Sequence, residues 1–183
     1  MATVALTAEN FDEVTGKDGI VLVDFWASWC GPCVRFAPTY ERSSEKHENI
    51  TFGKVDTEAE QALAAKFDIR SIPTIMAVRD GVIVFSQPGA LPESALESLI
   101  EQVEKLDMDD VRRSMEINVY GPMELIRRLL PLIRKGFPAG IVNVSSSAAA
   151  IPGTRGIDYP YSVSKCALNM FTEKLRVSLQ DTH

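Results

Sequence analysis

The pentapeptide Trp29-Cys30-Gly31-Pro32-Cys33 constrains this chain more than any other stretch. Two thiols three positions apart can close a small disulfide ring and open it again. Residues 20–27, just before it, form a nearly unbroken apolar run that reads as a buried strand. The thiols therefore stand at a strand-to-helix junction. There, free N–H groups and the positive end of the helix dipole face the first sulfur and favour thiolate. This suits a reversible dithiol. Half of a zinc site and an inert structural disulfide are the other uses of such a pair. Zinc needs a second ligand pair, and the chain offers only His47, His183 and Cys166, none at ligand spacing, so no metal is expected. An inert bridge belongs with secretion, and residues 1–10 carry neither the basic flank nor the apolar core of a signal peptide.

Composition narrows the setting. The 183 residues suffice for one large domain or two small ones, and a 45% hydrophobic content can bury a core. A net charge of −6 argues against nucleic acid as the main partner, because phosphate binding needs a basic surface. No stretch approaches the roughly 20 apolar residues of a membrane span, so no membrane partner is expected. Three cysteines, two of them in the CxxC, fit a reducing compartment, and a cytoplasmic protein is expected.

Residues 3–6 read as a short strand, and Thr7 as the N-cap of a helix over 8–14. The strand at 20–27 carries one charge, Asp24, six residues before Cys30. Burial there would raise its pKa toward neutrality and make it a proton acceptor for a nearby thiol. The pattern turns helical over 33–47, with Pro38 expected to kink the helix without ending it. A strand at 50–55 completes a strand–helix–strand unit, which implies a parallel pair with a right-handed crossover. Lys54 on that strand either reaches Asp24 across the sheet or stands solvated. A helix at 58–67 leads to Arg70-Ser71-Ile72-Pro73-Thr74 and a strand at 74–78. A proline opening a strand is either an edge position or a cis residue that turns the preceding backbone outward. Arg79-Asp80-Gly81 signals a hairpin to a strand at 82–86. Residues 92–106 form a helix with Leu96, Leu99, Ile100 and Val103 on one face.

These pieces together resemble the thioredoxin family over residues 1–106. Val23-Asp24-Phe25-Trp26-Ala27, the CxxC pentapeptide, Pro38, Ile72-Pro73-Thr74 and Gly89-Ala90 fall in family order and approximate spacing. The resemblance implies an α/β thioredoxin fold, a mixed five-stranded sheet flanked by four helices, with a cis peptide before Pro73. It also implies a thiol-disulfide oxidoreductase that reduces protein disulfides. Cys30 would be the exposed nucleophile, Cys33 the more buried resolving thiol, and Asp24 the acceptor of its proton through water. Trp29, Gly31, Pro32, Ile72, Pro73, Gly89 and Ala90 would form the apolar surface that receives an extended substrate. The implied partners are disulfide-containing proteins and thioredoxin reductase, with no cofactor beyond the redox-active Cys30–Cys33 pair. Thioredoxin is a standing example of a tuned CxxC thiol, so that tuning is carried over from the family. One departure is Val34, where many relatives carry a lysine or arginine; Arg35 comes one place later.

After Leu106 the character changes. Either Asp107 caps a new helix, expected over 108–135 with irregularities at Gly121-Pro122 and Pro131, or the preceding helix continues across the join. A short strand at 140–144, a small-residue loop at 145–158 and an amphipathic helix at 159–180 follow. Four pieces resemble the short-chain dehydrogenase/reductase family: Ile117-Asn118-Val119-Tyr120-Gly121-Pro122, Gly140-Ile141-Val142-Asn143-Val144-Ser145-Ser146, Tyr161-Ser162-Val163-Ser164-Lys165, and Ala167-Leu168. By that resemblance Tyr161 would be the acid/base, with Lys165 lowering its pKa. Ser146 would hold the substrate carbonyl and Asn118 a relay water. The family's Gly-rich cofactor turn, TGxxxGxG, occurs nowhere in the sequence; Gly153-Thr154-Arg155-Gly156 is too short and on the wrong side. Residues 107–183 are therefore expected to be an incomplete helix–strand–helix fragment of a Rossmann-type domain with a vestigial tetrad. Its lone strand would lack ladder partners, so partial disorder or a homo-oligomer through this segment is expected. Cys166 is expected to be packed.

Three functions follow in order: a protein-disulfide reductase, a binding or dimerisation module built on the second part, and an NAD(P)-dependent short-chain reductase without its cofactor turn.

Overall fold

Five apolar runs pair into one sheet. In the computed structural model, which describes residues 3–135, 140–146 and 159–180, the chain divides into Met1–Lys105 and Leu106–His183. The first unit runs β1 (Val4–Ala5), α1 (Phe11–Thr15), β2 (Ile20–Trp26), α2 (Gly31–Lys46), β3 (Ile50–Asp56), α3 (Gln61–Lys66), β4 (Thr74–Arg79), β5 (Val82–Pro88) and α4 (Glu93–Glu104). The strand order is β1-β3-β2-β4-β5. β3 pairs in parallel with both β1 and β2, while β4 is antiparallel to β2 and β5. This is the mixed sheet with four helices that the thioredoxin resemblance implies.

The central strand β2 reads as a continuous apolar run because both its faces are covered. Val21, Val23 and Phe25 face one layer with Leu6, Phe11, Val55, Leu63, Met76 and Val78. Alternation sends Leu22 and Asp24 to the opposite face, together with their register partners Phe52 and Lys54. Helix α2 covers that face. It buries Cys33, Phe36, Tyr40, Ser43 and Ser44 at helical spacing. The Tyr40 ring lies 5.7 Å from Phe36 and 5.1 Å, edge-on, from Phe52. Its hydroxyl donates to the Gly53 carbonyl at 3.0 Å. Gly53 must be glycine, since a Cβ there would run into the Leu6 side chain. The helix runs unbroken through Pro38. Helix α1 begins later than the pattern suggested, after a turn over 7–10. Asn10 Oδ1 accepts the Thr7 N–H at 2.8 Å, and the Phe11 N–H bonds back to the Thr7 carbonyl at 2.9 Å.

The second unit is helical among its described residues: α5 (Met108–Met115), a π-helical turn (Glu116–Tyr120), α6 (Gly121–Ile133) and α7 (Tyr159–Gln180). Asp107 caps α5 as expected, its Oδ1 accepting from the Asp109 and Asp110 N–H groups at 2.9 and 3.2 Å. The widened turn precedes Pro122, which has no N–H to continue the regular ladder. Helix α7 packs on α5 and the π-helical turn; Met108, Val111, Val119, Ile126 and Leu168 are buried.

The strand expected at 140–144 does not form. Residues 141–146 have no regular pairing, and Val142 and Val144 are 87% and 77% exposed. Among the described residues of this unit there is no other strand to supply a ladder, so side chains hold the segment instead. Asn143 Nδ2 donates to Thr172 Oγ1 at 3.0 Å, and Lys165 Nζ donates to the Val144 carbonyl at 3.0 Å. The described residues of this part are helical, and they do not show the expected Rossmann-type helix–strand–helix. Most of the loop expected at 145–158, including Gly153-Thr154-Arg155-Gly156, lies outside the described residues.

Candidate active site

The CxxC sits where β2 gives way to α2. Cys30 occupies the N-cap, with extended backbone angles of φ −78° and ψ 99°. Pro32 falls in the first helical turn, where its missing N–H costs no intrahelical bond. The Cys33 N–H points back at Cys30 Sγ, 3.2 Å away. An amide donor and the positive end of a 16-residue helix thus both face the first sulfur, as the sequence pattern required. The two sulfurs are bonded, with the Cα atoms 5.2 Å apart.

In this oxidised form neither cysteine is open to solvent. Cys30 is 4% exposed and Cys33 2% while the two are bonded. The ring is tucked against Ala27, with Trp26 and Ile72 packed on it. Cys30 Sγ lies 3.6 Å from the Ile72 carbonyl oxygen, which a reduced thiol could use as an acceptor.

Around the ring the chain presents an apolar rim. Trp29 is 68% exposed, and Gly31, Pro32, Gly89 and Ala90 are also exposed. The Ile72–Pro73 peptide is cis. Ile72 is half-buried and Pro73 buried, so the proline supports the rim from beneath. The Gly89 N–H donates to the Pro73 carbonyl at 2.7 Å and joins the two loops. Gly89 holds φ at +115°, a conformation that favours glycine.

On the face of β2 that α2 covers lies Asp24. It is 1% exposed, and neither carboxylate oxygen has a hydrogen-bond partner. Burial pushes its pKa from 3.8 up to about 7, opposed in part by the positive charge of Lys54. Lys54 is Asp24's register partner on β3, yet its ammonium makes no ion pair with it. Lys54 Nζ stands 4.8 Å from the Trp26 ring centroid and 3.9 Å from Glu41 Oε1. Of the two expectations for Lys54, neither holds in full: it is only 19% exposed, and it acts on Asp24 at a distance. Tyr40 was not singled out from the sequence. Burial and the Asp24 charge both push its phenol well above its ordinary value, so the ring is a neutral wall of this pocket. Its signal was the spacing Cys33, Phe36, Tyr40, an apolar stripe starting at a catalytic thiol.

The tetrad of the second unit does not assemble as its resemblance implies. Asn118 Nδ2 donates to Ser164 Oγ at 2.9 Å, which occupies the amide assigned to a relay water. Lys165 donates to Val144, and its Nζ lies 5.5 Å from the centroid of the Tyr161 ring face. Ser146 is half-buried on the segment that forms no strand. With no Gly-rich turn in the sequence and these donors engaged in packing, the residues present do not fit a nicotinamide cofactor. Burial pushes the Cys166 thiol up, away from thiolate, and it is half-buried on α7.

Two family models match parts of the chain. A family model described as Thioredoxin matches residues 2–102, and one described as Enoyl-(Acyl carrier protein) reductase matches residues 83–182. The second overlaps β5 and α4, which belong to the five-stranded unit. "Putative thioredoxin 2" of Streptomyces coelicolor is 56% identical over 62% of this chain and 85% of its own length. Thioredoxin of Bacillus subtilis is 38% identical over 56% of this chain and 98% of its own. A solved Plasmodium falciparum thioredoxin, 38% identical, superposes with a TM-score of 0.52 over 55% of this chain and 98% of its own. Through residues 2–102, with an enoyl-reductase-like segment behind them, the chain belongs to the thioredoxin family and is a thioredoxin-type thiol-disulfide oxidoreductase working through Cys30 and Cys33.

Proposed function

We propose that Cys30, Cys33 and Asp24 divide the reduction of a protein disulfide into two exchanges. In the reduced protein, the Cys30 thiolate attacks one sulfur of the substrate disulfide. A Cys30–substrate mixed disulfide forms, and the other substrate sulfur leaves as thiolate. Asp24 then takes the Cys33 proton, directly or through water. The resulting thiolate attacks Cys30 Sγ, releasing the second substrate thiolate and closing the Cys30–Cys33 bond. Two electrons pass to the substrate, whose thiolates take up two protons. The observation that carries this reading is the buried, unpartnered Asp24, whose pKa near 7 lets it accept and return a proton at neutral pH.

Trp29, Gly31, Pro32, Ile72, Gly89 and Ala90, supported by Pro73, receive the substrate chain, and thioredoxin reductase returns the disulfide to dithiol. A reducing, cytoplasmic setting suits that cycle. The test is the rate of mixed-disulfide resolution against pH. Asp24→Asn should slow it on the order of 100-fold near pH 7 and remove its inflection there. An unchanged profile would remove Asp24 from the mechanism.

A second reading concerns the other unit. Ile117, Leu125, Leu132 and Met170 are 58–65% exposed on its helices, and this supports self-association through that segment. Light scattering tests it: a monomer at high micromolar concentration would dispose of it.

A further inference from the structure

The three segments around the disulfide, 29–35, 70–74 and 87–91, carry only two charged side chains, Arg35 and Arg70. The two arginines are not equivalent. Arg70 is committed to Asp68, with Nε to Oδ1 at 3.2 Å and Nη2 to Oδ2 at 3.1 Å. Arg35 is exposed and enters none of the ion pairs among the described residues. It is not directed away from the site. A Cβ placed on Gly31 would stand 3.4 Å from Arg35 Nη1, so the guanidinium lies back along one turn of α2 beside the residue between the two cysteines. Its neighbours on that flank are apolar and exposed, Val34 at 56% and Trp29 at 68%. An unpaired guanidinium beside an apolar docking surface matches a carboxylate, which it can hold by two parallel N–H bonds.

Resting on the disulfide-reductase reading, we propose that Arg35 is a specificity-determining residue. It favours protein disulfides that carry an aspartate or glutamate within a few residues of the attacked cystine. The contact is solvent-exposed, so its worth is modest, about two- to fivefold in kcat/KM, and salt screens it.

Three cystine-bridged peptides identical but for Glu, Ser or Lys beside the cystine test this. The full-length protein should reduce the Glu peptide about three- to fivefold faster than the Lys peptide at low ionic strength, with the preference fading in about 0.5 M salt. Arg35→Gln should flatten the Glu/Lys ratio and Arg35→Glu should invert it. A ratio in Arg35→Gln equal to wild type overturns the proposal. So does a loss shared equally by all three peptides, which would mean that Arg35 acts on the thiol and not on the substrate. No turnover of any peptide by the wild-type protein would instead sink the exchange reading beneath it, and the proposal with it.

Discussion

Met1–Lys105 and Leu106–His183 both carry residues that, in their families' order, belong to an oxidoreductase site. In the first unit a five-stranded sheet holds those residues in register. Asp24 sits beneath α2, Cys30 caps that helix, and the Gly89 N–H fixes the Pro73 loop. In the second unit the local signals survive, and its described residues form no sheet. Asn118, Tyr161 and Lys165 stand on helical segments, but the segment with Ser146 has no ladder, and the polar groups satisfy one another. A polar constellation needs a scaffold that leaves its donors unspent. Where no scaffold does, the same side chains become packing.

The largest effect that would sharpen this contrast is at the resolving thiol. Cys33→Ser should cut turnover by a factor on the order of 1,000 or more and trap substrate on Cys30, visible as a mixed disulfide on a non-reducing gel. No trapped adduct would break the claim that the two sulfurs act in sequence.

Next is the stability cost of Asp24. Its folded-state pKa, about 7, lies above its ordinary 3.8, so the native state binds the proton more tightly than the unfolded chain does. Stability therefore falls as pH rises from about 4 to about 7, and the penalty is complete above that. Asp24→Asn should be more stable than wild type by roughly 4 kcal/mol at pH 8 and about equal to it at pH 3. Urea unfolding at the two pH values checks this. Equal stability at pH 8 would mean that Asp24 finds a partner in solution.

Core truncations compare the units directly. Phe25 is fully buried in β2, and Phe25→Ala should cost about 3–5 kcal/mol and lower the reductase's melting temperature. Leu168 is 3% exposed in the second unit, and Leu168→Ala should cost about 2–3 kcal/mol there while leaving insulin-disulfide reduction unchanged. A matched loss of reductase activity would contradict the independence of the two units. The smallest expected effect is Lys165→Ala, which should leave reductase turnover within about twofold of wild type, since this half-buried side chain bonds to Val144 and lies outside the family match at residues 2–102.

Much of the first unit was legible in the sequence because each local signal agreed with the whole. The continuous apolar run of β2, the single carboxylate within it and the proline before β4 each specify one place in the sheet. The placement of Lys54 was not legible. Register puts it beside Asp24, but the Trp26 ring and Glu41 draw its ammonium elsewhere, and neither neighbour is local in sequence. Nor was the closure of Cys30, because burial of a ring depends on Ala27, Trp26 and Ile72 meeting around it. In the second unit, the short apolar run at 140–144 reads as a strand, yet a strand is a property of a pair. The pattern says what a segment would do with a neighbour, and the described residues of this unit supply none.

The most direct test is insulin-disulfide reduction by the full-length Cys30→Ser protein beside wild type. The predicted result is a fall to the background of the added reductant, with the second unit contributing nothing. Retained turnover in Cys30→Ser would contradict the assignment of the activity to the dithiol of the first unit.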